Sequence, residues 1–183
     1  MRFHEVADRL VKQSKSNIEI TSVFQGAFTE LLSAGRILFD FKNRKVSYFG
    51  SPDTIMEFTT WKNTAEYTVA VALDHNPTPG KLCIAGARLS PREAQQVANR
   101  VTGVEFKLNH MMSIKMLQNV IGILRFFNPA KNNPLPLWVG MQYGYSMAIG
   151  PSLPKILDND RYDGIEWAGI EDTVLQAYKN VPK

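Results

Sequence analysis

The sequence predicts an α/β fold of few strands and several packed helices, in one domain covering residues 1–183. Three observations carry that reading. Short β-branched runs alternate along the chain with segments whose apolar residues recur at helical spacing. The strand runs are too few for a complete doubly wound sheet, which shows five or more strand–helix units. Several helical stripes are apolar enough to need a partner. The chain therefore reads as one end of a doubly wound domain with a smaller subdomain appended. At 183 residues, 44% hydrophobic and 21% charged, it has the length and composition to bury a core, which excludes disorder.

Residues 3–14 place Phe3, Val6, Leu10 and Val11 on one side of an amphipathic helix, and Lys15-Ser16-Asn17 breaks it. Ile18 to Phe24 alternates and is rich in β-branched residues, which predicts a strand ended by Gly26. Phe28 to Leu32 suits a short helix. Ile37 to Phe41 and Val46 to Phe49 read as two strands turned by Lys42-Asn43-Arg44-Lys45. Gly50 to Asp53 is a second turn, and Met56 to Thr60 a further extended segment.

Asn63-Thr64-Ala65-Glu66 has the form of a capping box with Asn63 as the cap, opening a helix to about Leu73. Asp74 to Gly80, with Pro77 and Pro79, is a loop, and Leu82 to Ala85 a short buried strand. Ser90-Pro91-Arg92-Glu93 is the strongest local signal. Serine caps, proline takes the first helical position, and glutamate reaches back. The helix it opens turns Ala94, Val97, Ala98 and Val101 inward and stops before Gly103. Ile114, Leu117, Val120, Ile121 and Leu124 mark another helix to about Phe127. Asn128 to Pro136 is a polar link, Trp138 to Ile149 an apolar helical segment, Pro151 to Asp160 irregular, and Ile170 to Lys179 a last helix.

Chemistry is sparse. No Gly-x-Gly-x-x-Gly or phosphate-loop motif is present, so no helix N-terminus is built to seat a pyrophosphate. Gly140 and Gly144 are spaced for close helix packing. No tyrosine is followed four residues later by lysine, so the acid and helper of carbonyl reduction are not adjacent in sequence. His4, His75 and His110 lie far apart, and no metal ligand set is expected. The single cysteine, Cys83, sits in an apolar run and reads as a buried structural thiol. Asp158, Asp160 and Asp163 around Arg161 read as a salt-bridged turn rather than a calcium loop. No catalytic residue is assigned. Trp138, Met141, Tyr143, Tyr145 and Met147 suit core packing at a helix interface, or an apolar ligand cleft.

The net charge of +4 is scattered, with Lys42, Arg44 and Lys45 as its densest cluster, so nucleic acid is not an expected partner. No run approaches the roughly 20 apolar residues of a membrane span, and no signal-peptide core follows Met1. A soluble, cytoplasmic protein is expected.

Four pieces in order resemble the NmrA-like proteins, atypical short-chain dehydrogenases related to isoflavone reductases. They are Ile18 to Phe28; Phe58-Thr59-Thr60-Trp61 through Thr68; Leu82-Cys83-Ile84-Ala85-Gly86 with Leu89 to Glu93; and Trp138 to Tyr143 with Leu157 to Tyr162. The resemblance implies a truncated Rossmann-like fold: the last sheet strands plus the substrate subdomain, without the N-terminal nucleotide-binding half. Many relatives carry an assisting lysine where this chain has Val6. By analogy Gln25, Gly26 and Phe28 lie near the nicotinamide, and Tyr48 and Trp138, with Met141 and Tyr143, border the substrate cleft. No cofactor is expected for this chain alone, and NADP or NAD only if the nucleotide-binding half is supplied. The sheet edges left open imply a homodimer or a separate nucleotide-binding chain, and the cleft implies a small apolar or phenolic ligand. The resemblance thus implies the substrate-side portion of an NAD(P)-dependent reductase, inactive alone. The alternative is a cofactor-free small-molecule-binding or redox-regulatory module of the same descent.

Overall fold

The computed structural model describes residues 3–13, 19–32, 38–127, 136–151 and 153–180. The order is α1 (Phe3–Gln13), β1 (Ser22–Phe24), β2 (Ala27–Phe28), β3 (Phe39–Asp40), β4 (Lys45–Phe49), β5 (Met56–Thr59), α2 (Trp61–Leu73), β6 (Lys81–Cys83), β7 (Ala87–Leu89), α3 (Pro91–Thr102), β8 (Lys107–Met112), α4 (Ile114–Phe127), α5 (Leu137–Ala148) and α6 (Glu171–Lys179). Short 3-10 turns fill Thr29–Leu32 and Asn159–Arg161. The α/β class predicted from the sequence is the class observed.

The strands form three small sheets: β1–β6, β2–β5–β7 and β3–β4–β8. β1 and β6 run parallel, joined by a crossover that contains α2. β2 also runs parallel to β5, and β4 to β8, while β3–β4 and β5–β7 are antiparallel. The main core is aromatic. Phe39 stacks on Phe41 with ring centroids 5.2 Å apart, Phe106 meets both edge-on, and Tyr178 of α6 packs on Phe106. Ala94 and Ala98 of α3 and Val174 and Ala177 of α6 close this cluster. A second cluster, Tyr67, Leu82 and Ile84 with Val23, Val71, Tyr162 and Trp167, lies under the β1–β6 pair.

Local chemistry explains where the sequence expectations hold and where they fail. α3 begins with the full capping box: Glu93 N donates to the Ser90 hydroxyl, and Ser90 N donates to the Glu93 carboxylate at 2.7 Å. Gly103, left-handed at φ 71°, ends it. Val97 and Val101 are only half-buried, since Ala94 and Ala98 hold the centre of the inward face. α2, by contrast, starts two residues before the expected Asn63. Its cap is Thr60, whose hydroxyl accepts from Asn63 N at 3.0 Å. The Asn63 carboxamide accepts the Thr60 hydroxyl at 2.9 Å and also ties the C-terminal segment, accepting from Ala168 N and donating to Glu166 O.

The strand expected over Ile18–Phe24 is ordered into the sheet only from Ser22, whose N–H donates to Gly80 O where β6 begins. Phe28 belongs to β2 rather than to a helix, and the strand expected to Ala85 ends at Cys83. β7 and β8 were not predicted. Ala87-Arg88-Leu89 is too short to show a period. Lys107 to Met112 is polar on both sides and becomes a strand only by pairing along β4. The break at residues 15–17, the strand residues Ile18 and Ile37, and all but the last residue of the link at 128–136 lie outside the described residues.

Candidate functional site

The loop Gln25–Phe28 is fixed by β5. Gly26 is left-handed at φ 71°, and a Cβ there would stand 2.5 Å from the Glu57 carbonyl oxygen, so only glycine fits. The Thr59 hydroxyl donates to Gln25 O at 2.6 Å. Ala27 and Phe28 then pair with Phe58 and Thr59. Phe28 leaves this strand to meet Trp61 edge-on at 6.0 Å. With Thr64, Ala65, Thr68 and Val69 the two rings line an open groove of about 500 Å³ along α2. Its hydroxyls are spent within the helix: Thr64 donates to Thr60 O and Thr68 to Thr64 O. The groove is therefore an apolar surface without directional polar groups.

Beneath this loop lies a buried ion pair. Glu57 Oε1 accepts from Arg88 Nη2 at 2.8 Å, and the carboxylate also takes the Leu153 N–H. Arg88 donates onward to the carbonyls of Leu153 and Lys155. The pair pins the irregular segment after α5 onto the β5–β7 sheet, with the buried Glu57 charge balanced by Arg88.

The other residues picked from the sequence gather on β4 and α5. Tyr48 packs against His110 of β8 with ring centroids 5.4 Å apart, beside the register shift between Tyr48 and Phe49. Trp138 carries the Arg125 guanidinium 5.6 Å over its ring. Met141 is half-buried and Tyr143 is 64% exposed. Tyr145 accepts from Gln118 of α4. Gly144 lies on the Phe49 ring, where a Cβ would come within 3.0 Å, whereas Gly140 has nothing within 4 Å. So one of the two glycines permits close packing, and of β4 on the helix rather than of helix on helix. Phe28 thus lies against α2, while Tyr48, Trp138, Met141 and Tyr143 sit on a different set of elements.

The structure reveals a polar network that the sequence reading missed. Asp158 accepts from Cys83 N at 2.7 Å, donates its own N–H to Cys83 O, and its carbonyl takes the Tyr67 hydroxyl at 2.9 Å. Asn159 bonds Ala85 N and Ala85 O with its carboxamide. These two residues seal the outer edge of β6. Burial and the nearby Asp158 push the Tyr67 hydroxyl up to about 12, so it stays protonated as a structural donor. Cys83 is half-buried rather than buried, and its thiol is raised by burial and by Asp158, which disfavours the thiolate. Arg161 closes the expected turn through its backbone, donating its N–H to Asp158 O at 3.2 Å, but its guanidinium makes its ion pair elsewhere. It reaches Asp74 at 3.1 Å, and the Asn76 backbone N–H, then the Tyr162 hydroxyl, hold that carboxylate down to about 2. The signal for this network was present only as an Asp-Asn pair 75 residues from its partners.

A dinucleotide's pyrophosphate does not fit the N-termini of α2, α3, α4 and α6. That of α2 already donates Trp61 N to Glu30 Oε1 at 2.9 Å, placing a carboxylate where an anion would bind. That of α3 is filled by Ser90 and by Pro52 O, and that of α4 by Ser113. α6 carries Glu171 and Asp172 in its first turn.

No family model matches the sequence, and no curated protein matches it. Solved structures do. The chain is similar to AtPrR2 with NADP+ and (+)pinoresinol at a TM-score of 0.70 and 14% identity, covering 96% of this chain and 55% of that one. The fold is that of the isoflavone reductases. Isoflavone reductase itself matches at 0.64 and 13%, covering 94% and 56% of the two chains. A nucleoside-diphosphate-sugar epimerase from Staphylococcus aureus matches at 0.62 and 14%, covering 93% and 56%. The chain therefore has a Rossmann-like α/β fold of this type and spans little more than half the length of the structures it matches. Among the described residues no helix is long and apolar enough to cross a membrane.

Proposed function

We propose that this chain is the substrate-side portion of an NmrA-like NAD(P)-dependent reductase acting on a small carbonyl or phenolic compound, and that it works only with a nucleotide-binding portion. The observation that carries this reading is the match over nearly the whole chain to about half of a structure holding NADP+ and (+)pinoresinol. The β1–β6 pair supports it physically. Parallel sheets are stable when extended and covered on both faces. Here Asp158 and Asn159 seal the β6 edge, whereas among the described residues the other edge of β1 pairs with no strand. Phe24 at that edge and Leu10 and Val11 of α1 are exposed. A further strand of a nucleotide-binding unit would pair with that edge of β1.

In this reading Gln25, Gly26 and Phe28 face the nicotinamide end of a cofactor whose pyrophosphate is held elsewhere, and Tyr48, Trp138, Met141 and Tyr143 border the substrate. The residues of this chain supply shape and apolar surface, and no chemical step is assigned to them. The deciding experiment is isothermal titration of NADPH into the purified chain. The expected trace is flat. A clear micromolar isotherm would overturn the assignment of the pyrophosphate site to another segment. A parallel titration with (+)-pinoresinol separates the two descents. Binding of the phenolic compound by a chain that stays blind to NADPH, even beside a neighbouring reading frame's product carrying Gly-x-Gly-x-x-Gly, would favour the cofactor-free module.

A further inference from the structure

Helices α4 and α5 form an arm that is tied to itself more firmly than to the rest of the molecule. Within the arm, Gln118 of α4 donates to the Tyr145 hydroxyl of α5, and the Arg125 guanidinium lies 5.6 Å over the Trp138 ring. Its attachment to the strands is thin. Between residues 113 and 150 the buried residues, among those described, are Leu117 and Pro136. By contrast α3 buries Pro91, Ala94 and Ala98, and the shorter α6 buries Val174 and Ala177. Met116, Ile123, Phe126 and Phe127 of α4 are exposed and add little to the attachment. Burial sets much of the free energy of local opening, so a segment with few buried groups opens before the core does.

Both ends of the arm are fastened. At its entry the Gly50 N–H donates to Met112 O at 3.0 Å, and Ile114 packs so close over Gly50 that a Cβ there would stand 2.8 Å from it. At its exit the chain leaving α5 is gripped by Glu57 and Arg88. Glu57, 6% exposed, takes the Leu153 N–H at 3.3 Å, and Arg88 binds the carbonyls of Leu153 at 3.2 Å and Lys155 at 3.0 Å. Apolar residues of similar volume often hold a sheet as well as a buried ion pair does. This pair directs its further hydrogen bonds to backbone 65 to 96 residues along the chain, at the end of the arm. We infer that the Glu57–Arg88 pair is the lock of a hinged α4–α5 arm. With the pair intact the arm is closed. When the pair releases Leu153 and Lys155, the two helices come off β4 and β5 together, turning about the Gly50–Ile114 contact. Opening uncovers Phe49, on which Gly144 rests, and parts Tyr48 on β4 from Trp138, Met141 and Tyr143 on α5. That this admits a ligand to those four residues rests on the reductase reading; the opening itself does not.

Hydrogen exchange of the purified full chain, read by mass spectrometry on peptides from α3, α4, α5 and α6, tests it without any ligand. In the wild type, the central amides of α4 and α5 are expected to share one level of protection, about ten-fold or more below that of α3. Glu57→Gln keeps the shape and removes the charge, and Arg88→Lys keeps the charge and removes the fork that holds two carbonyls. Each is expected to speed exchange in α4 and α5 by about ten-fold. Exchange in α3 and α6 is expected to stay within about two-fold of the wild type. Protection of α4 and α5 equal to that of α3 in the wild type would overturn the arm. Acceleration of all four helices alike, or of none, would overturn the lock. These outcomes stand apart from the NADPH and (+)-pinoresinol titrations, which the reductase reading can fail while the arm still opens.

Discussion

Gly26 shows how much a single residue fixes here. Its left-handed backbone lets the loop pass over Glu57 at a distance no side chain tolerates. Gly26→Ala is expected to cost about 3 kcal/mol, combining left-handed strain with overpacking against backbone that cannot move aside. Chemical denaturation measures it, and a loss below about 1 kcal/mol would show that the loop relaxes away from β5. The glycine and its turn were visible in the sequence. Its contact with Glu57 was not, because Glu57 is 31 residues away and its burial depends on Arg88 from another strand. Asn63 makes the same point in reverse. Its position read as a cap by type and spacing, but a buried carboxamide facing two backbone groups of the C-terminal segment gains more there than at a solvated helix end.

At the scale of elements, helices were readable and strands only partly so. α3 and α4 stand where their stripes place them, because caps and period-3.6 patterns are local. The α3 box yields a direct prediction. Ser90→Ala removes the acceptor of Glu93 N and is expected to destabilise the protein by about 1 kcal/mol. Ser90→Asp, which restores an acceptor, is expected to recover most of it. Thermal unfolding of the two variants checks the pair, and equal losses would mean that the cap contributes nothing. β8 illustrates the limit. Its six residues carry no alternating pattern, and its strand state comes from the ladder with β4, whose Lys45 pairs with Lys107 from 62 residues earlier in the chain. Of the candidate residues, Tyr48 is set by that ladder, and Trp138, Met141 and Tyr143 by α5 packing on it.

For the whole molecule, long hydrogen-bonded ties join α2 to the C-terminal segment. Tyr67 is fully buried and donates to Asp158 O across 91 residues. Its folded pKa of about 12 lies above the ordinary value near 10. The protonated phenol is therefore favoured by folding. Its stabilisation is complete below pH ~10 and is lost as pH rises from about 10 toward 12. Spectroscopic titration of tyrosinate is expected to show one late step, coincident with alkaline unfolding. Tyr67→Phe should remove that step and cost about 1 kcal/mol near neutrality. A titration in which all tyrosines ionise together near their ordinary value would contradict the buried assignment.

The sequence by itself determined the α/β class, the helices with their stripes, the α3 cap, the turns at glycine and proline, and the lack of a phosphate-binding motif. All of these are written in residues a few positions apart, where propensity, capping and period act. Only the tertiary structure decided the three-sheet arrangement, the strands β7 and β8, the Glu57–Arg88 fastening, the Asp158–Asn159 seal on β6 and the apolar groove along α2. The fastenings among these bring together groups about 30 to 100 residues apart. Their stability comes from burial and hydrogen bonding that exist only once the chain has closed on itself.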